Sequence, residues 1–128
     1  MRVLLDTHVF LWLQSDPERV GEHLELLRDP DTERLVSAVV SWEIAVKHQL
    51  GALPLPEPAA AYVPRRMREI RGVAVPIEQA HTLEIAALPP IHRDPFDRLL
   101  VAQARLLGVP IMTADATIAA YPVETLRV

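Results

Sequence analysis

The sequence predicts an α/β fold: a three-layer domain with a mainly parallel central sheet flanked by helices. Short apolar runs alternate with segments of helical periodicity along the whole chain. Strands that alternate with helices form parallel sheets, because each helix carries the chain back across the sheet. The chain has 128 residues, 50% of them hydrophobic, which is enough for one domain with a buried core. We therefore expect residues 1–128 to form a single domain.

Short apolar runs bounded by polar or turn-forming residues are predicted as strands. The first run ends at Asp6, and the fourth ends shortly before Asp115. The last run is short and lies at the end of the sequence. The predicted strands are Val3–Leu5, Leu35–Ala38, Val73–Val75, Ile111–Thr113 and Thr125–Val128.

The helices are predicted from their periodicity and from start and stop signals. Asp16-Pro17 and Asp94-Pro95 each place an N-cap aspartate before a proline in the first helical position. Gly51 and Gly108 fit C-terminal caps. The predicted helices are a brief stretch Val9–Leu13, a helix from Asp16-Pro17 to Leu27, Ser41–Leu50, Ala59–Ile70, Glu78–Ala87, and one from Asp94-Pro95 to the cap at Gly108.

Composition excludes several classes of protein. The sequence has no cysteine, so a disulfide framework and a thiolate metal site are excluded. Asp6 and His8 interrupt the first apolar stretch, which fits no signal peptide, and no apolar run is long enough to span a membrane. We expect a cytoplasmic protein without a membrane partner. The formal charge of −4 disfavours general attraction to nucleic acid, so a protein of this composition that acts on nucleic acid needs bound metal and a local basic rim.

Four acidic residues are predicted to meet at the carboxyl edge of the sheet. Asp6 directly follows the first strand, and Asp115 lies two residues beyond the fourth. Glu43 and Asp97 are placed in the first turns of helices that begin at the same edge. Ligands of parallel sheets bind at this edge, because the carboxyl ends of the strands meet there.

Four neighbouring carboxylates repel one another, and a hard divalent cation relieves this conflict. Mg²⁺ prefers oxygen ligands and sites that leave room for a phosphate, so the chemistry indicated is phosphodiester hydrolysis. Each acid also fits a structural role as an N-cap or as a partner of a helix dipole. The spacing alone leaves both interpretations open.

Four sequence blocks resemble PIN-domain toxins of the VapC family. They are Leu-Leu-Asp-Thr-His-Val-Phe-Leu-Trp (4–12), Val-Ser-Ala-Val-Val-Ser-Trp-Glu-Ile-Ala-Val-Lys (36–47), Asp-Pro-Phe-Asp-Arg-Leu-Leu-Val-Ala-Gln-Ala (94–104) and Thr-Ala-Asp (113–115). The blocks follow the family's order and together extend over most of the chain. One such block would be weak evidence, but four in order are specific.

The resemblance implies a PIN-like fold with Asp6, Glu43, Asp97 and Asp115 as catalytic, metal-binding acids. It further implies that hydroxyl groups of Thr7, Ser41 and Thr113 support the site. Asp94 matches a second acid often present in the family, and we interpret it first as a helix N-cap.

The implied activity is endoribonuclease cleavage by water with Mg²⁺ or Mn²⁺, leaving a 5′-phosphate and a 3′-hydroxyl. The number of metal ions, one or two, remains open. The implied substrates are structured RNAs such as tRNA or rRNA. The implied partners are a second copy in a homodimer and an inhibitory VapB-type antitoxin.

Three basic residues are candidates for RNA phosphate contacts: Lys47, Arg93 and Arg98. The alternative for Lys47 is an ion pair with Glu43, four residues earlier on the same helix. The cluster Arg65–Arg71 is interpreted as a solvated helix face.

Aromatic residues in the apolar runs, Trp12, Trp42 and Phe96, are predicted to pack in the core. His92-Arg93-Asp94 imitates a kinase catalytic loop, and we interpret that match as a coincidence.

Two other functions compete with the nuclease. A phosphatase or phosphotransferase with Asp6 as nucleophile is disfavoured, because the residue two positions later is His8 rather than a second aspartate. A non-catalytic RNA- or protein-binding module of the same fold would use the acids only as caps. Asparagine substitutions of Asp6 or Asp97 distinguish this module, which should keep its RNA affinity without metal dependence.

Overall fold

The computed structural model describes residues 1–128 and contains one five-stranded sheet in the order β3-β2-β1-β4-β5, with every neighbouring pair parallel. The strands are β1 (Arg2–Leu5), β2 (Glu33–Ser37), β3 (Val73–Val75), β4 (Ile111–Thr113) and β5 (Thr125–Arg127). The helices are α1 (Thr7–Ser15), α2 (Leu24–Arg28), α3 (Ala38–Gln49), α4 (Ala59–Glu69), α5 (Gln79–Glu84), α6 (Pro95–Leu107) and α7 (Ala116–Ala119). The predicted fold class is confirmed. None of the helices combines the length and apolar character needed to cross a lipid bilayer.

The centre of the sheet is β1, which lies between β2 and β4. Val3, Leu4 and Leu5 are completely buried. A central parallel strand is covered by helices on both faces, and this explains its continuous apolar run. The strand order reverses at β1, because β2 and β3 lie on one side of it and β4 and β5 on the other. Such a reversal opens a crevice at the carboxyl ends of β1 and β4.

Two helices begin earlier than the sequence predicts, because polar side chains at the strand ends cap them. Asp6 accepts a hydrogen bond from the backbone N–H of Val9 at 2.9 Å, so α1 begins at Thr7 instead of Val9. Ser37 accepts one from the N–H of Val39 at 3.0 Å. The predicted strand end at Ala38 is therefore wrong, and so is the predicted helix start at Ser41.

Two predicted helices are divided in the structure. The segment predicted as one helix from Asp16-Pro17 to Leu27 is a 3₁₀ stretch, Pro17–His23, followed by α2. Gly21 causes the break, since its φ of 67° and ψ of −134° lie outside the helical region. The segment predicted as Glu78–Ala87 forms α5 and a 3₁₀ turn, Ile85–Ala87.

Replacing Gly108 by alanine should destabilise the protein. Gly108 ends α6 in the left-handed conformation with φ 67°, and a Cβ there would meet no atom within 4 Å. The penalty is therefore conformational. It lowers the free energy of unfolding by about 1 kcal/mol and the melting temperature by about 3 °C. Gly108→Asn is the matched control, because asparagine tolerates this conformation better. Equal melting temperatures for the wild type and Gly108→Ala would contradict the explanation.

Candidate active site

A polar cavity of about 190 Å³ opens at the carboxyl edge of the sheet. None of its nine lining residues is hydrophobic; they are Asp6, Thr7, His8, Glu43, Lys47, His92, Asp94, Asp97 and Asp115. All four predicted acids face this cavity, and Asp94 is a fifth. The only lysine or arginine among the lining residues is Lys47.

Asp6 is held at the end of β1 by a buried network. It is 5% exposed, and Thr113, at the end of the neighbouring β4, donates its hydroxyl to Asp6 Oδ2. Thr113 Oγ1 in turn accepts the backbone N–H of Asp115 at 2.9 Å. Burial raises the pKa of Asp6, although hydrogen bonds from Thr113 and Val9 act in the opposite direction. Two neighbouring strands therefore position Asp6 and Asp115 together, as the predicted topology requires.

Glu43 reaches the cavity from the second turn of α3, and its predicted first-turn position is wrong because the helix begins at Ala38. Thr7 Oγ1 donates to Glu43 Oε1 at 2.6 Å, and Lys47 Nζ forms an ion pair with Oε2. Burial acts to lower the pKa of Lys47, but the hydrogen bond and charge of Glu43 outweigh it, so the net pKa is raised. Lys47 thus has the predicted i,i+4 ion pair and also lines the cavity.

Asp94 and Asp97 occupy the N-terminus of α6 and have different roles. Asp94 caps the helix by accepting the backbone N–H groups of Phe96 at 2.8 Å and Asp97 at 3.4 Å. The Asp97 carboxylate makes no capping bond and faces the cavity. Burial, followed by the negative charges of Asp94 and Glu43, raises the pKa of Asp97 from 3.8 to about 7. Proton binding and cation binding are therefore alternative ways of stabilising this carboxylate.

With His8, His92 is one of two cavity-lining residues that the sequence analysis does not single out. Its Nε2 lies 3.0 Å from Asp97 Oδ2 and 3.6 Å from Asp115 Oδ2. A usable signal was its position two residues before the N-cap Asp94, which brings it to the same sheet edge as the acids. His8 also lines the cavity and is exposed.

Ser41, a predicted supporting residue, and Arg98, a predicted phosphate contact, do not line the acidic cavity. Ser41 lines a groove between α3 and α4, with Ala45 and Val63, rather than the acidic cavity. The difference follows from the earlier start of α3, which rotates Ser41 to another face. The guanidinium of Arg98 donates to the carbonyls of Ile85 and Pro89 and to the hydroxyl of Tyr121, so its donors stabilise the fold.

Arg93 and Trp42 are exposed. Arg93 directly precedes Asp94, and its side chain has no hydrogen-bond or ion-pair partner. Trp42 is 46% exposed, so its predicted core position is wrong. Its ring contacts Phe96 edge-on, with centroids 4.5 Å apart.

The donor set fits a hard divalent cation. Five carboxylates face one lysine across the cavity, and the carboxylates of Asp94 and Asp97 lie within 4.8 Å of each other and of a His92 ring nitrogen. Carboxylate oxygens are the preferred protein ligands of Mg²⁺ and Mn²⁺, and an added cation would offset their mutual repulsion. The cavity thus has the charge and ligand chemistry of a magnesium-type site.

Comparisons with known proteins identify relatives of this chain by sequence. The sequence is 42% identical to ribonuclease VapC16 of Mycobacterium tuberculosis over 65 residues, which span 51% of this chain but only 46% of that relative. It is 29% identical to ribonuclease VapC22 of the same organism over 114 residues, 88% of this chain and 86% of the relative.

Solved structures with low identity show the same fold. VapBC2 from Rickettsia felis, bound to a DNA fragment from its promoter, matches with a TM-score of 0.75 and 15% identity, over 99% of this chain and 98% of that one. FitAcB from Neisseria gonorrhoeae matches with a TM-score of 0.65 and 19% identity, over 98% of this chain and 96% of that one. The family model of the PIN domain matches residues 3–124, and the chain therefore belongs to the PIN domain family.

Proposed function

We propose that this PIN domain is a metal-dependent endoribonuclease of the VapC toxin type. The observation that carries the proposal is the wholly polar cavity at the reversal of strand order, where five carboxylates meet. The relatives named ribonuclease VapC16 and VapC22 support RNA as the substrate. Hydrolysis of an RNA phosphodiester bond is the reaction that this site supports best.

Asp6, Glu43, Asp97 and Asp115 are the acids proposed to hold Mg²⁺ or Mn²⁺. When bound, such a cation supplies positive charge to a phosphate oxygen and makes a water molecule more acidic. The remaining groups keep the acids in place: Thr113 holds Asp6, and Thr7 holds Glu43.

Lys47 and Arg93 are the proposed contacts to RNA phosphates. Lys47 lines the cavity, while Arg93 is an exposed cation with no protein partner, between the lining residues His92 and Asp94 in the sequence. Positive groups beside the acids provide the local attraction that the net charge of −4 does not. Arg98 is left out of this proposal because its guanidinium is held by the carbonyls of Ile85 and Pro89 and by the hydroxyl of Tyr121.

The proposed partners follow from the relatives. A VapB-type antitoxin would inhibit the enzyme, since a structural neighbour is VapBC2 and another is a toxin–antitoxin complex from Klebsiella pneumoniae. We further propose tRNA or rRNA as substrate, a homodimer as the assembly and the cytoplasm as the location. The absence of cysteine is compatible with that compartment.

Incubation of the purified protein with total RNA tests the function. We expect discrete fragments with 5′-phosphate ends in Mg²⁺ or Mn²⁺ and none in EDTA. Intact RNA under all conditions would contradict the nuclease.

The same assay separates the nuclease from a non-catalytic binding module. That alternative is favoured by one observation: Asp6, Asp94 and Asp115 all accept N-cap hydrogen bonds and so have structural roles. A binding module would retain RNA in EDTA and cleave it under no condition.

A further inference from the structure

The loop that precedes α6 fixes the tautomer of His92. The backbone N–H groups of Arg93 and Asp94 approach His92 Nδ1 at 3.0 and 3.3 Å. Nδ1 must therefore be the hydrogen-bond acceptor, and the ring carries its proton on Nε2. Nε2 lies 3.0 Å from Asp97 Oδ2, so it donates to that carboxylate, with Asp115 Oδ2 at 3.6 Å.

We infer that His92 is a positioning residue, whose Nε2–H holds the carboxylates of Asp97 and Asp115 for a divalent cation without itself binding the ion. A protonated ring nitrogen has no lone pair for a metal, and the other nitrogen is occupied by two backbone donors. Partners that hold metal-ligating carboxylates through hydrogen bonds raise metal affinity, and their loss typically costs 10- to 100-fold. The inference rests on the metal site proposed above.

Contacts outside the cavity keep the His92 loop in place. The buried hydroxyl of Tyr121 accepts the backbone N–H of His92 at 2.7 Å and a hydrogen bond from Arg98 Nη1 at 3.2 Å. Arg98 also donates to the carbonyl of Pro89, at the start of the loop, at 3.0 Å. Arg98 and Tyr121 thus connect α6 and the segment after α7 to the backbone that carries the imidazole.

A purely structural role would need only one side of the ring. Nδ1 closes the local turn with Arg93 and Asp94, whereas the contact from Nε2 to the acids adds nothing to that turn. Two substitutions of His92 separate the role of Nδ1 from that of Nε2. Asparagine at position 92 supplies an acceptor near Nδ1 but is too short to reach Asp97. Glutamine supplies an N–H group near the Nε2 position.

Mn²⁺ binding without RNA tests the inference, with free Mn²⁺ measured by electron paramagnetic resonance in wild type, His92→Asn and His92→Gln. We expect His92→Asn to bind Mn²⁺ about 10-fold more weakly with a melting temperature close to that of the wild type, and His92→Gln to recover most of the affinity. Tyr121→Phe should weaken Mn²⁺ binding by a smaller factor, because it loosens the loop without altering any lining residue.

Three results would overturn the inference: wild-type Mn²⁺ affinity in His92→Asn, electron spin-echo modulation from an imidazole nitrogen bound to Mn²⁺, or ¹⁵N shifts that place the ring proton on Nδ1. A wild-type protein that binds no Mn²⁺ would overturn both this inference and the metal-dependent function. If the expected Mn²⁺ affinities are found but RNA stays intact, only the ribonuclease proposal fails.

Discussion

Asp97→Asn is expected to abolish RNA cleavage, with a loss of about 1,000-fold or more, while the folded structure persists. The substitution removes a carboxylate from the centre of the proposed cation site, and a metal-assisted hydrolysis depends on that charge. The Asp97 side chain makes no capping bond, since Asp94 accepts the N–H groups of this helix end. Fragment yield from total RNA and thermal melting of the metal-free protein measure the two effects.

Asp31→Asn is the matched control, with the same change of charge. Asp31 is exposed in the turn before β2, at the opposite end of the strands from the cavity. The Asp31→Asn variant should cleave RNA like the wild type. If Asp97→Asn unfolds the protein, the carboxylate is structural and the account of the site is wrong. Wild-type cleavage by Asp97→Asn would contradict the account equally.

A divalent cation is expected to stabilise the protein strongly at pH 8 and weakly at pH 5. The folded-state pKa of Asp97 is about 7, above its ordinary value of 3.8. The stability contributed by the proton is therefore fully present below pH 3.8 and is lost as the pH rises through about 7. After allowance for solvent screening, this loss lowers the free energy of unfolding by about 1 to 2 kcal/mol. A bound cation should restore that stability.

Melting temperatures with and without Mg²⁺ at the two pH values measure this effect. We expect an increase of several degrees at pH 8 and a much smaller one at pH 5 in the wild type. In Asp97→Asn the metal-free protein should be as stable as the wild type at pH 8, or more stable, and should respond less to Mg²⁺. Equal increases at both pH values would show that the cation binds away from the acidic cavity.

The sheet and the acids could be predicted because they depend on short-range patterns. Continuous apolar runs such as Val3–Leu5 identify buried parallel strands, and the alternation of strands with helices sets their direction. Once the directions are known, Asp6 and Asp115 must lie at one edge. The N-cap at Asp94 and the cap at Gly108 were also readable, because both are local backbone requirements.

Most errors of the sequence predictions arise where contacts between separate elements, rather than local patterns, determine the structure. Ser37, at the end of β2, caps α3, so this helix begins three residues before the predicted start at Ser41. Gly21 is an exception, since its own backbone conformation breaks a helix that its neighbours would continue. Arg98 looks like a phosphate contact, but its guanidinium donates to the carbonyls of Ile85 and Pro89 in the preceding segment. The hydrogen bond from the His92 backbone N–H to the Tyr121 hydroxyl, which helps to hold the loop, follows from no sequence spacing.

The most direct test of the central claim measures bound Mn²⁺ and RNA cleavage in the same samples as the Mn²⁺ concentration is varied. The account predicts that cleavage rises with occupancy of a site that is strongly weakened or lost in Asp97→Asn. Cleavage that persists in EDTA, or full occupancy with intact RNA, would contradict the claim that this acidic cavity is the metal centre of a ribonuclease.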